Sequence, residues 1–251
     1  MTYFVQEQEA RRILDEVRWG RVNTYDIFPE GDYQEIGMQS PQELLQKYAI
    51  RYCEYLGESE RILKIRQSCF AAMKQVENPS TFPMMGSLSS YVLGSNQCDE
   101  LSVATWLKAY AEGKSPIRVL LADPNNPKTS NHGFVICGVS PRIFEDLHQK
   151  MAEKRLKIDE LMSFLLSKEC IVMDPYLNAV FPVKGFKDSV LERYCQKTGI
   201  TDLMGIQALP NHSVEKARDI QSQLMSQAKR IADMAQMILD NPSKEKKALN
   251  F

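Results

Sequence analysis

Between Ile117 and Val183 the chain carries four short apolar runs of strand character: 117–122 (IRVLLA), 133–139 (GFVICGV), 170–173 (CIVM) and 179–183 (AVFPV). Such runs are too short for amphipathic helices and rich in Val, Ile and Phe, so they read as strands. Asp123 to Pro127 is a turn cluster between the first two. On either side the period is helical. Ala10, Ile13, Leu14 and Val17 recur three and four apart within Glu7–Val22. A turn-rich loop, Asn23 to Ser40, follows. Ser40, Pro41 and Glu43 mark a helix start. That helix is expected to run to about Leu56 and to end at Gly57. A second, Glu58 to Val76, would bury Ile62, Leu63, Ile65, Cys69, Met73 and Val76. Asn78 to Ser90 reads as a loop. Helical patterns return at 98–111, in one long segment from Arg142 to Leu166, at about 188–196 and at 213–239. Asn241 to Phe251 reads as a loose tail. Strands gathered in the middle and helices outside them predict an α+β fold, a small sheet with extra helices at both ends.

A chain of 251 residues can bury a full core. We divide it into an N-terminal helical region (1–90), serving as a cap or as a substrate or partner lobe of the same domain, a core (91–187), and a C-terminal helical region with the tail (188–251). The 31 basic residues nearly cancel the 32 acidic ones, and no basic stripe with interleaved aromatics occurs, so no nucleic-acid partner is expected. No run approaches the roughly 18 apolar residues of a membrane span. The first residues lack the apolar core of a signal peptide, so synthesis in a cytosol with reduced thiols is expected. The six cysteines are scattered without a CxxC pair, and no loop has the spacing of a calcium site. Neither metal nor cofactor is expected.

Cys98 is the cysteine with a distinctive setting. A polar loop, Gly94 to Gln97, leads straight into the 98–111 helix, and the thiol falls at the junction. Unpaired backbone N–H groups and the positive end of the helix dipole favour a thiolate there and can also hold an oxyanion. Asp99 and Glu100 oppose this, because each is a negative charge beside the sulfur. A thiolate at Cys98 therefore requires a nearby imidazolium. His132 opens one strand run, where it can project from the sheet edge toward the helix start. Asp174 ends another, just before Pro175, where a carboxylate can fix the histidine tautomer. Each of the three alone has an ordinary reading: a small apolar filler, a strand-end histidine, a turn. Together, at the ends of three elements, they read as nucleophile, base and orienting acid. Cys53, Cys69, Cys137, Cys170 and Cys195 read as packing residues, Trp106 as helix packing and His148 as exposed. His212 is a minor alternative base.

These segments resemble the papain-like and transglutaminase-like cysteine enzymes, in particular the compact versions among secreted bacterial effectors and toxins. Asn96-Gln97-Cys98-Asp99-Glu100 is similar to an N-C-x-E helix start, His132 to Val135 to an H-x-F-V strand, and Val172 to Tyr176 to a V-x-D-P-W/Y strand end. The resemblance covers roughly residues 90–185. It implies a helix carrying the cysteine packed on a small antiparallel sheet, with acyl transfer through a thioester on a protein amide. Glutamine deamidation or transglutamination is the leading expectation and peptide cleavage of the same fold the alternative. A non-catalytic module binding a host protein is the further one. It also implies a host protein as substrate and export from a bacterial cytoplasm into a host cell. Because Gln97 separates Asn96 from Cys98, both are candidates for the oxyanion side chain, and Tyr176 is a candidate for lining the cleft. The 142–166 segment replaces what is often a short hairpin.

Overall fold

The computed structural model describes residues 3–21, 23, 41–76, 84–125 and 132–241. Its centre is α4 (Cys98–Ala111), laid against a five-stranded antiparallel sheet. Before it come α1 (Tyr3–Arg18), α2 (Pro41–Lys74) and α3 (Met85–Val92). The strands are β1 (Ile117–Ala122), β2 (His132–Cys137), β3 (Ile171–Asp174), β4 (Ala179–Pro182) and β5 (Asp202–Ala208), in the spatial order β4-β3-β2-β1-β5. Helices α5 (Pro141–Glu153) and α6 (Ile158–Leu165) lie between β2 and β3. A short 3-10 turn at Val183–Gly185 and α7 (Val190–Thr198) lie between β4 and β5, and α8 (Val214–Asp240) closes the described chain.

Every residue of β1, β2 and β3 is buried, because helices cover both faces of the sheet. That is why these strands are near-continuous apolar runs rather than alternating ones. On one face Val135, Cys137, Ile171 and Met173 meet α4 (Val103, Trp106, Leu107), α1 (Ile13, Leu14) and α8 (Ile231, Ala235). On the other, Val119, Leu121, Phe134, Ile136 and Val172 meet Leu147 of α5, Leu161 and Leu165 of α6, and Leu191 and Tyr194 of α7. α4 is enclosed on almost all sides, and its small residues Ser102, Ala104, Thr105 and Ala109 permit the close approach. Trp106 packs as expected, its indole N–H donating to the Pro116 carbonyl at 3.3 Å.

Five expectations are corrected. The break at Gly57 is absent: α2 runs unbroken through it. A mid-helix glycine costs only about 1 kcal/mol, and Glu58–Arg61 and Glu60–Lys64 pairs follow at helical spacing. Leu63 is on the outer face, 54% exposed, while Ile62, Ile65 and Cys69 are buried. The proposed loop before Ser90 contains α3, whose Met85, Leu88, Ser89 and Ser90 are buried. The 142–166 segment is two helices. Between them Leu156 accepts from the Leu203 N–H at 2.8 Å, and Ile158 donates to the Thr201 carbonyl at 2.9 Å, so β5 diverts the backbone. The fifth is β5 itself, a strand within the region read as C-terminal helix. Its full pairing with β1 makes that region part of the sheet. Ser40, most of the 23–40 loop, the start of the 78–90 loop and most of the 241–251 tail lie outside the described residues.

Candidate active site

The register of the sheet brings two distant side chains together. β1 and β2 pair Leu121 with His132, and β2 and β3 pair Val135 with Met173. Asp174 then follows at the end of β3, on the face that carries His132 and Phe134. Nε2 of His132 and Oδ2 of Asp174 are 2.6 Å apart. The same carboxylate ends the strand: its Oδ1 accepts from the N–H groups of Tyr176 at 3.1 Å and Leu177 at 2.9 Å. The Asp-Pro turn and the partner of the histidine are thus one residue with two oxygens in different service. α1 holds that turn from outside, Arg18 donating to the Pro175 carbonyl at 3.0 Å. Asn23 donates to the Tyr176 carbonyl at 3.0 Å.

Cys98 reaches the ring from the start of α4. Gln97 is the N-cap in extended conformation, and its side chain makes no cap hydrogen bond. Gly133 lets the helix come close. A Cβ there would sit 2.8 Å from Ser102 Oγ and 3.5 Å from the Cys98 carbonyl. The Cys98 thiol lies close enough to the imidazole to help raise its pKa. With Nε2 engaged by Asp174, proton exchange with the thiol would fall to Nδ1. Gly133→Ala should therefore lever α4 off β2. The expected cost is roughly 1–3 kcal/mol, read as a lower melting temperature together with slower alkylation of Cys98; a variant with unchanged melting and alkylation would show that the contact is slack.

His132 and Asp174 are both 0% exposed. The histidine does not project from an exposed sheet edge as the sequence suggested. It starts the middle strand and is roofed by Tyr194, at 4.8 Å between ring centres, and by the edge of Tyr176 at 5.9 Å. Burial is the strongest influence on the imidazole and alone would lower its pKa. The charge and hydrogen bond of Asp174, helped by Cys98, outweigh it and raise the group from 6.5 to about 10. The folded chain holds this proton more tightly than the unfolded chain. The stability it contributes is complete below pH 6.5 and is lost as pH rises through about 10. The melting temperature should fall across that window, and the fall should be absent in His132→Gln. An equal fall in the variant would assign it to other groups.

The other candidates divide. Asn96 is buried, and its side-chain oxygen accepts from Arg21 at 2.9 Å, which makes its amide nitrogen the donor. Arg21 also stacks over the Tyr91 ring at 3.8 Å. Gln97 is half-buried beside Cys98. Tyr176 is 3% exposed and packs on the histidine, so it walls the ring and does not line an open cleft. His148 is exposed, as expected. His212 lies beyond the Ala208 end of β5, which pairs with Ile117, at the opposite end of the sheet from His132. There it borders a cavity of about 550 Å³ with Tyr110, Ile117, Phe144 and Leu209; it is not a base for Cys98. Of the five cysteines described as free thiols, Cys98 alone is not buried. Burial pushes Cys69 and Cys170 up to about 11 and Cys137 to about 12, and raises Cys195 further still. The side chain of Cys53 lies outside the described residues.

Two arginines escaped the sequence reading. Glu100, fully buried, takes a bidentate pair from Arg66 of α2 at 2.5 and 2.7 Å. Asp99 pairs with Arg118 of β1 and accepts from the Ser87 hydroxyl. The acids expected to repel a thiolate are therefore both ion-paired. The signal for Arg118 was present: it is the one charged residue in the run IRVLLA. Nothing local marks Arg66, which sits on the outer part of a long helix.

No family model, curated protein or solved structure matches this chain. Among the described residues no helix is long and apolar enough to cross a membrane, and no group of three or more His, Cys, Asp or Glu could hold a metal ion.

Proposed function

We propose that this chain is a cysteine-dependent acyl-transfer enzyme acting on a protein side-chain amide, with a papain/transglutaminase-like core. One observation carries the reading: a thiol at the start of a helix, beside a buried imidazole whose Nε2 lies 2.6 Å from a buried carboxylate. Cys98 attacks the amide carbon as a thiolate, its proton already held on the His132 imidazolium. Asp174 holds the ring and stabilises the imidazolium. The backbone N–H of Cys98, with Asn96 or Gln97, receives the oxyanion. Collapse breaks the C–N bond. The departing nitrogen takes the proton from His132, and a thioester remains on Cys98. Water then gives a carboxylate, or an amine gives a new amide, and either restores the thiol. The buried, closed environment of the ring suits such proton transfer, because it keeps the imidazole from exchanging its proton freely with water. By the resemblance in the sequence, the substrate is a glutamine-bearing protein of a host cell reached by export.

A glutamine-rich protein substrate supplied with a labelled primary amine tests this. Ammonia release or amine incorporation, lost in Cys98→Ala, is the expected result. Cleavage of the polypeptide would redirect the assignment to a protease. No reaction, with no preference of an electrophilic thiol probe for Cys98 over the other cysteines, would leave a binding protein.

A further inference from the structure

We propose that Arg118 and Asp99 are a positioning pair for the nucleophile, seating the first turn of α4 on the sheet and cancelling the charge next to the sulfur; this rests on the reading of Cys98 as nucleophile. Arg118 is 0% exposed, and it rises from the strand position that pairs with Val135, on the α4 side of the sheet. Its Nη2 donates to the Asp99 carbonyl at 3.2 Å as well as to the Asp99 carboxylate. Its Nε donates to Ser102 Oγ at 2.9 Å, and that hydroxyl donates on to the Asp99 carbonyl at 3.0 Å. Its Nη1 donates to the Gln207 side chain on β5 at 3.1 Å. One guanidinium thus ties two strands to the turn that begins with Cys98.

For stability alone such a residue is a poor choice. A guanidinium withdrawn from water is unfavourable unless fully paired, and an apolar side chain of similar volume serves a strand interior as well or better. The position of the pair accounts for it. The charged groups around the thiol are Asp99 and Glu100 on its own helix, Arg66 from α2, Arg118 from β1, His132 from β2 and Asp174 from β3. With the imidazole protonated, three carboxylates face three cations. Removing either member of the Arg118–Asp99 pair tips that balance, in opposite senses for the two members. A purely structural pair would be damaged alike by either loss.

The test is the pH dependence of alkylation of Cys98 by iodoacetamide, followed residue by residue by mass spectrometry in the full chain. Asp99→Asn, at a side chain 33% exposed, should move the profile to lower pH by about one unit, and Arg118→Met should move it to higher pH by a similar amount. The double variant should return near the wild type. Both single variants moving in one direction, or neither moving, would overturn the pair. Should Arg118→Met fail to fold, Asp99→Asn decides: a downward shift supports the pair, and no shift or an upward one refutes it. Absence of preferential labelling of Cys98 in the wild type would instead remove the enzymatic reading, and the pair's role with it.

Discussion

Replacing Cys98 by alanine should lower turnover by about three orders of magnitude or more while leaving the fold intact. The two halves of that result come from one feature. Cys98 is half-buried at the first position of α4, so its sulfur contributes little packing; a loss on the order of 1 kcal/mol is the upper expectation. Chemically it is the group in contact with the buried imidazole. Cys69→Ala and Cys195→Ala provide the contrast. Both thiols are sealed in the core and should show their loss in melting temperature, with the rate per folded molecule unchanged. Parallel measurement of rate and melting on the three variants separates the cases. If Cys98→Ala melts early and the remaining folded fraction works normally, the thiol is a filler and the mechanism falls.

The second large effect is at Asp174. Removing its carboxylate in Asp174→Ala strips the partner from a fully buried imidazolium and from the N–H groups of Tyr176 and Leu177 at once. Breaking a buried pair in this way costs about 3–5 kcal/mol, a large share of the stability of a typical domain. Asp174→Asn is the sharper experiment. Its side-chain oxygen can still accept from the turn, so the fold should survive with a smaller loss. The charge that holds His132 protonated is gone, and the rate should fall by about two to four orders of magnitude. The alkaline decline in melting temperature should also move to lower pH, because the imidazole no longer has an anion to raise it. Wild-type activity in Asp174→Asn would mean that the carboxylate serves the turn only.

The site was more legible than its surroundings, and the reason is local. A thiol at a loop-to-helix junction, a histidine at a strand start and an acid before a proline are each visible within a few residues. The α4 boundaries follow from the 3.6-residue period, and the β1 to β4 runs from short β-branched stretches. β5 was missed because the stretch 202–208 (DLMGIQA) contains Asp, Gly and Gln and has little apolar alternation of its own. β1 supplies what makes it a strand. The break between α5 and α6 has the same origin, since the backbone at Leu156 and Ile158 pairs with residues more than forty positions away. Gly57 misled in the other direction: a local helix breaker was overridden by good helix formers on both sides.

By itself the sequence determined the class of fold, the candidate residues for chemistry and the elements whose ends carry them, since side-chain type and periodicity act over one or two turns of chain. Tertiary structure alone decided that His132 would be buried under Tyr194, that Tyr176 would wall the ring, and that Arg66 and Arg118 would cancel the acids beside Cys98. Charge neutralisation and burial depend on distance through space. The residues responsible for them here approach from α2, β1 and α7, whose nearness to Cys98 no spacing along the chain records.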